Sequence, residues 1–433
     1  MTPPSRATSE ILRQLLALCG PGFARFAGAA DEVAGVPARF VAIPGTVDAV
    51  TGVLRLAADH DLAVVARGAG SKLDWGAVPP RVDVMLDTGR LAGVWHRPPG
   101  EVVVEVGAGT PFRAAHAMLL RTGHRLPLDP PSPGATVGGV VAADEAGPLR
   151  HRYGTPCDQL VGVSYVDAAG TLHRASWGAH EAPAPDLRRL LCGSYGGLGV
   201  LVSAQLRIQP VPASRRWVRR TFWTPLEMHD LVREALGVPL TPTAVEVDLP
   251  AGPRRLAAAP TGRPWPSGVG RLAVLLEGGT ATIDERARQL AAVLGGDAQV
   301  TAIGPPWWGR YPFRPGDVAL RLDLPAAELH SAVYALRDAA GGPVPVRGSA
   351  GLGVAYAALS GSLPVERVAA ILGAVRQLLL ARGGTCVVLA APAAVRRSVD
   401  LWGARADLPL LRRVKHRFDP AHRLAPGRFT GGI

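Results

Sequence analysis

The stretch Val64-Val65-Ala66-Arg67-Gly68-Ala69-Gly70-Ser71-Lys72-Leu73-Asp74-Trp75-Gly76 decides how the first half of this 433-residue chain is read. A short apolar run feeds a loop with glycine at alternate positions. Glycine tolerates left-handed backbone and close approach of another group. Successive N–H groups can therefore turn inward as a nest for an anion such as a diphosphate. Ser71 adds a hydroxyl, and Arg67 and Lys72 add charge. Two other phosphate loops are excluded. The spacing G-x-x-x-x-G-K-[ST] is absent, and Pro79-Pro80 follows Gly76 where a dinucleotide fingerprint would open a helix. An ordinary tight loop remains the alternative reading of this stretch taken alone.

Two further glycine-rich stretches lie downstream. One runs from Asp129-Pro130-Pro131-Ser132-Pro133-Gly134-Ala135-Thr136-Val137-Gly138-Gly139 through Gly147 to Arg150-His151-Arg152-Tyr153-Gly154. The other is Gly193-Ser194-Tyr195-Gly196-Gly197-Leu198-Gly199-Val200. Three such loops in one region suit a long, extended cofactor better than a small metabolite.

Periodicity places these loops among helices and strands. A helix is expected over Ser9–Cys19. Another follows Pro44, with Val47, Val50, Leu54 and Ala57 on one face. Strands are expected at 62–66, 82–87, 102–106, 161–166 and 198–208. Thr110-Pro111 is expected to cap a helix through Leu120, and 129–139 reads as loop. Beyond Pro212 the order strand–helix–strand–strand–helix–strand occurs twice, over 216–303 and 318–389. Each copy is the ferredoxin-like split βαβ order, so two copies give an antiparallel sheet with helices on one face. The fold class is thus α+β. The expected domains are an N-terminal helical segment (1–37), a cofactor domain (38–213), a substrate-covering cap (214–405) and a tail (406–433).

The net charge is +12, yet a nucleic-acid partner is not expected. Lys72 and Lys415 are the only lysines among 47 basic residues, asparagine is absent, and the arginines are scattered. That is compositional drift toward arginine; it favours anionic small substrates. Cys19, Cys157, Cys192 and Cys386 are far apart in sequence and form no C-x-x-C, so no metal or iron–sulfur site is expected of this chain. They read as buried small hydrophobes. No apolar run reaches the ~18 residues of a membrane span, and no secretory h-region opens the chain. A cytoplasmic protein is expected, peripheral to a membrane only through a partner.

Together the motifs carry a resemblance. Residues 38–213 resemble the PCMH-type FAD-binding domain of the vanillyl-alcohol oxidase/p-cresol methylhydroxylase superfamily. The pattern is most similar to the FAD-binding subunits of bacterial glycolate oxidase. The matching marks are Pro44-x-Thr46, Arg67–Ser71 with Gly76, Ala135–Gly139, Gly147–Gly154, Gly193–Val200 and, in the tail, Phe418-Asp419-Pro420 and Pro426–Phe429. The resemblance implies two α+β subdomains clasping FAD under a cap. By position Arg67, Gly68, Ala69, Gly70, Ser71 and Lys72, with Gly76, would hold the diphosphate. Thr136, Gly138 and Gly139 would lie beside the flavin, Gly196, Gly199 and Val200 on the adenine side, and Gly147 and Arg152 would also bind the cofactor. No His or Cys stands in 67–76, so FAD is expected to be noncovalent.

The implied chemistry is oxidation of a small 2-hydroxy acid, its hydride passing to the flavin, a base taking the hydroxyl proton and an arginine holding the carboxylate. Arg321 is the first candidate anchor, because strand alternation sets it opposite the Leu320, Leu322 and Leu324 face. Its competing role is an ion pair with Asp323. Arg347 and Arg428 follow as anchors. With no iron–sulfur ligands here, an iron–sulfur partner subunit or a soluble acceptor must take the electrons. The departures are Trp177–Asp186 in place of a Lys-Asn-Val-Ala-Gly-Tyr-Asp run, Asp144 and Ala425 in place of asparagine. They favour the alternative of a flavin-poor or inactive homologue.

Overall fold

The computed structural model describes residues 6–97, 100–176, 186–251 and 269–433. The altered segment at 177–185 lies outside them. The chain divides into two compact units. One comprises Met1–Ala146, Gly154–Val211 and Arg405–Ile433; the other comprises Gly147–Tyr153 and Pro212–Ala404.

The first unit holds two sheets. In the four-stranded sheet the order is Ala24–Phe26, Phe40–Ala42, Val84–Asp87, Val64–Arg67, and the last three strands run parallel. Val64–Arg67 is thus an edge strand, delivering the chain directly into the loop after Arg67. The five-stranded antiparallel sheet is ordered Leu172–Ser176, Leu160–Val166, Val200–Arg207, Val103–Gly107, Val94–His96. Val166, Val200 and Val202 pack into one core with Phe40, Val84 and Leu86, while Val104, Val163 and Leu206 pack into another. This sheet is therefore buried on both faces.

The helix after Pro44 spans Val47–Asp59, and Thr46 caps it by accepting from the Ala49 N–H at 3.1 Å. Val50, Leu54 and Ala57 are buried as the periodicity requires; Val47 packs at the margin of the same core. Two expectations need correcting. Thr110 does not cap the following helix, which spans Phe112–Leu120 with Pro111 at its cap. The Thr110 hydroxyl donates instead to the Gly107 carbonyl at 2.7 Å, a nearer acceptor across a tight turn. The 129–139 stretch is not loop throughout either. A helix begins at Val137 and runs to Ala143, capped by Thr136, which accepts from the Gly139 N–H at 3.2 Å. The cap and tertiary packing override two glycines that depress helix propensity.

In the second unit eight strands form one sheet. Their spatial order is Gln299–Thr301, Ser214–Phe222, Gly270–Gly278, Ala244–Leu249, Val346–Ser349, Val354–Leu359, Val318–Asp323, Thr385–Ala390. The helices Thr280–Leu294, Pro225–Gly237, Leu329–Ala340 and Val365–Ala381 lie side by side in that order. On strand Val318–Asp323, Leu320 and Leu322 are buried while Arg321 and Asp323 are half-buried. The face carrying Arg321 is rich in charge: Glu277 accepts from Tyr153 Oη at 2.8 Å and from Arg215 at 2.9 Å. Among the described residues no helix is long and apolar enough to cross a membrane.

Candidate cofactor site

The edge strand Val64–Arg67 opens onto a cleft in the first unit. Its lining includes residues 65–73, Thr136, Gly139, Ala142, Ala143, Tyr195 and Arg428. The amide N–H groups of Gly68, Ala69, Gly70, Ser71 and Lys72 donate to no acceptor among the described residues. Gly70 takes φ +76° and Gly76 φ +77°, in the left-handed region that glycine alone occupies cheaply. A Cβ on Gly68 would stand 2.2 Å from Thr136 Oγ1, so the backbone approaches that hydroxyl only because the side chain is absent. Five consecutive unengaged donors in a concave, glycine-bearing loop fit the diphosphate of a dinucleotide.

The loop's two cations are already engaged. Arg67 bonds Asp31 at 3.0 Å and Asp87 at 2.9 Å. Hydrogen bonds from Arg25 above all, with help from Gly28 and Arg67, hold the Asp31 carboxyl below the ordinary carboxylate range. The Lys72 side chain is largely enclosed, with its ammonium 2.6 Å from Glu145 and 3.0 Å from the Ser132 hydroxyl. Burial pulls the Lys72 ammonium below its usual range, against the opposing pull of Glu145. Both cations of the loop are thus paired with carboxylates, while the backbone amides of 68–72 stay open to the cleft.

The structure gathers Arg67, Gly68, Ala69, Gly70, Ser71, Lys72, Thr136 and Gly139 around this cleft, and adds Tyr195, Ala142 and Ala143, which the motifs had not singled out. Other expected residues have different surroundings. Gly138 packs on Ala108, where a Cβ would stand 2.7 Å from the alanine methyl. Gly199 packs on Tyr165, and Val200 is a buried strand residue. Gly196, at φ +76°, lies beside Ala66, and Gly76 forms a buried turn. Gly147 and Arg152 belong to the second unit. Arg152 is exposed, stacked over Tyr153 at 5.8 Å. His151 lies against Gly351, and burial lowers its affinity for a proton.

Each candidate anchor arginine has partners. Arg428 is buried and donates to the carbonyls of Leu73 at 3.0 Å and Trp75 at 2.5 Å. It clamps the phosphate-type loop from the tail, which accounts for its place in the cleft wall. Arg347 donates to Asp248 at 2.6 Å and to the Tyr311 carbonyl at 3.1 Å. Arg321 donates to Asp323 through Nε at 3.1 Å and Nη2 at 2.8 Å, with about a third of each side chain exposed. Among the described residues no group of His, Cys, Asp and Glu is placed to hold a metal ion.

Comparison with known proteins agrees with this geometry. The family described as FAD binding domain matches residues 38–176. The chain is 35% identical over 160 residues to glycolate oxidase subunit GlcE of Escherichia coli, covering 36% of this chain and 45% of that protein. It is 30% identical over 175 residues to the mitochondrial D-lactate dehydrogenase [cytochrome] of Arabidopsis thaliana, covering 40% of this chain and 30% of that one. The matches thus span less than half the length of these relatives. Among solved structures, alkyldihydroxyacetonephosphate synthase superposes with TM-score 0.72 at 16% identity, covering 98% of this chain and 87% of the other. For p-cresol methylhydroxylase the TM-score is 0.71 at 15% identity, covering 98% and 97%.

Among the described residues no His or Cys lines the cleft, and the cofactor is expected to be noncovalent. Acid precipitation of the holoprotein should release all yellow colour to the supernatant; colour held in the pellet contradicts this. Residues 38–176 therefore match the FAD binding domain family, in a chain with the fold of p-cresol methylhydroxylase, and the cofactor is FAD.

Proposed function

We propose that the protein is an FAD-dependent oxidoreductase acting on a small 2-hydroxy acid of the glycolate or lactate class, passing electrons to an iron–sulfur partner subunit or a soluble acceptor. The observation that carries this reading is the row of unengaged amides at Gly68–Lys72 inside the matched domain. The names of the relatives, a glycolate oxidase subunit and a D-lactate dehydrogenase, support the substrate class. Residues 38–213 serve as the cofactor domain and 214–405 as the substrate domain, its two halves being ferredoxin-like repeats. Each half places its four strands in the order fourth, first, third, second from its outer edge, which supports that assignment.

When bound, FAD supplies a two-electron acceptor. The chain's residues bind and orient. The amides of 68–72 hold the diphosphate, and the tail's Arg428 keeps their loop in shape. Arg321 holds the substrate carboxylate through paired N–H donors, releasing Asp323 as it does so. Its half-exposed guanidinium supports this role over that of the more enclosed Arg347.

The test is anaerobic titration of the flavin-loaded protein with glycolate, D-lactate and D-2-hydroxyglutarate. At least one should bleach the visible flavin band, and bleaching by none overturns the reading. Arg321→Met should leave the oxidised spectrum intact and raise the bleaching midpoint by roughly 100-fold, the loss of a charge-assisted pair of bonds worth about 3 kcal/mol. Unchanged reduction of the variant removes Arg321 from the site. A second reading, a flavin-poor or inactive homologue, is favoured by the engagement of both Arg67 and Lys72 with carboxylates. Failure of the purified protein to take up added FAD would select it.

A further inference from the structure

The fold joins two cysteines that the sequence separates. Cys157 lies in the short helix Pro156–Gln159, and Cys192 ends the helix Leu187–Leu191. Asp144, left-handed at the end of the helix Val137–Ala143, receives both: its Oδ1 accepts from the Cys157 amide at 3.1 Å and from Cys192 Sγ at 3.4 Å. Sharing this one carboxylate oxygen brings the Cys192 sulfur beside the backbone of Cys157. Cys19 packs in the other core of the first unit, and Cys386 belongs to the second unit.

The two sulfurs are not equivalent. Cys157 is half-buried, and a hydrogen bond from Cys192 draws its thiol below the usual range. Cys192 is buried, and the same hydrogen bond, its burial and the nearby Asp144 carboxylate hold it protonated. A more exposed, more acidic thiol beside a buried partner is the arrangement of an attacking and a resolving cysteine.

We propose that Cys157 and Cys192 are a peroxide-oxidisable pair that closes a reversible disulfide in the first unit. The Cys157 thiolate attacks one oxygen of hydrogen peroxide, the O–O bond breaks, and hydroxide leaves, forming the Cys157 sulfenic acid. Cys192 sulfur then attacks the Cys157 sulfur, its proton goes to the departing hydroxyl, and water leaves. The sum is two thiols and one peroxide giving one disulfide and two waters.

The pair is coupled to the cleft through the backbone. Directly after Cys192, the Gly193 and Tyr195 amides donate to the carbonyls of Val141 at 3.0 Å and Ala142 at 2.8 Å. Ala142 and Tyr195 both line the cleft. Drawing the sulfurs from hydrogen-bonding to bonding distance pulls on this segment, so closure weakens FAD binding; this clause alone rests on the cofactor assignment.

The flavin-loaded protein is treated with hydrogen peroxide, alkylated under denaturing conditions and weighed intact. The expected result is two alkylated cysteines instead of four, loss of the mass of two hydrogens, a Cys157–Cys192 linked peptide, and reversal by dithiothreitol. Cys192→Ser should instead accumulate Cys157 carrying one added oxygen, and Cys157→Ser should show neither product. Four alkylated thiols, or a link to Cys19 or Cys386, overturns the pair. FAD affinity of the linked form should fall about fivefold or more, within the usual span of coupling between sites. An unchanged affinity with the link formed overturns the coupling, and a link in protein that never takes up FAD shows the pair independently of the cofactor reading.

Discussion

Gly70→Val is expected to yield a folded protein that binds FAD about 100-fold more weakly. Gly70 sits at φ +76°, where a β-branched residue is strained by roughly 1–3 kcal/mol. The added Cβ itself meets nothing hostile: its nearest neighbours are Leu73 Cδ1 at 3.5 Å and Arg67 Cδ at 3.9 Å. The strain must therefore be relieved by turning the backbone, and the backbone carries the five unengaged amides. Losing two such hydrogen bonds to a charged group costs about 3 kcal/mol, which is two decades in affinity. The edge strand and its buried neighbours are untouched, so the thermal midpoint of the apoprotein should move little. Flavin stoichiometry and fluorescence quenching on FAD titration give the answer, and full occupancy in the variant would remove the diphosphate assignment. Gly68→Ala makes a poorer probe, because its Cβ would strike Thr136 and disturb packing directly.

The second large effect is expected from Asp419→Ala. Lys415 and Asp419 are both buried, with Lys415 Nζ 2.8 Å from the carboxylate, 2.8 Å from the Gly197 carbonyl and 2.7 Å from the Leu424 carbonyl. Asp419 also accepts from the amides of Arg423 at 3.1 Å and Leu424 at 2.7 Å. These contacts hold the tail where the Val64 amide donates to the Arg423 carbonyl and the Ala425 amide donates to the Val64 carbonyl, each at 2.8 Å. Removing the carboxylate strands a buried ammonium and two amides. A loss of roughly 3–5 kcal/mol follows, or roughly 6–20 °C in the midpoint of the first unit.

The pH dependence of this variant has a definite sign. Burial already draws Lys415 below the ordinary lysine range, with Asp419 the main opposing influence. Without Asp419 it falls further. Between that folded value and about 10.4 the unfolded chain holds more protons, so the variant's stability rises with pH across this window. Denaturant unfolding at several pH values measures it; a flat or falling profile means that Lys415 escapes to solvent.

Lys72 and Lys415 illustrate how much of the site could be read in advance. In a chain that otherwise uses arginine for its cations, each lysine is enclosed among acceptors: Glu145 and Ser132 for one, Asp419 and two carbonyls for the other. A compact ammonium with three donors fits such enclosures, and a planar guanidinium does not. Retention of lysine against the drift was a usable signal. Lys72 is legible through its place in the glycine loop, whereas Lys415 stands in no motif. The paired roles of both depend on carboxylates and carbonyls that only folding brings near.

The sequence by itself determined what local stereochemistry controls. The apolar strand entering 67–76, the glycines at φ > 0, the capped helix at Val47–Asp59 and the twice-repeated element order of the second half are consequences of spacing and backbone sterics over a few residues. The tertiary structure decided which groups meet. It engaged Arg67 with Asp31 and Asp87, brought Arg428 onto the carbonyls of the loop, placed Gly147 and Arg152 in the second unit, and joined Cys157 to Cys192 through Asp144. Sequence distance carries no information about such meetings. Ion pairs and thiol contacts between remote segments are selected by the packing of the whole core, which must first offset the entropy of closing the loops between them.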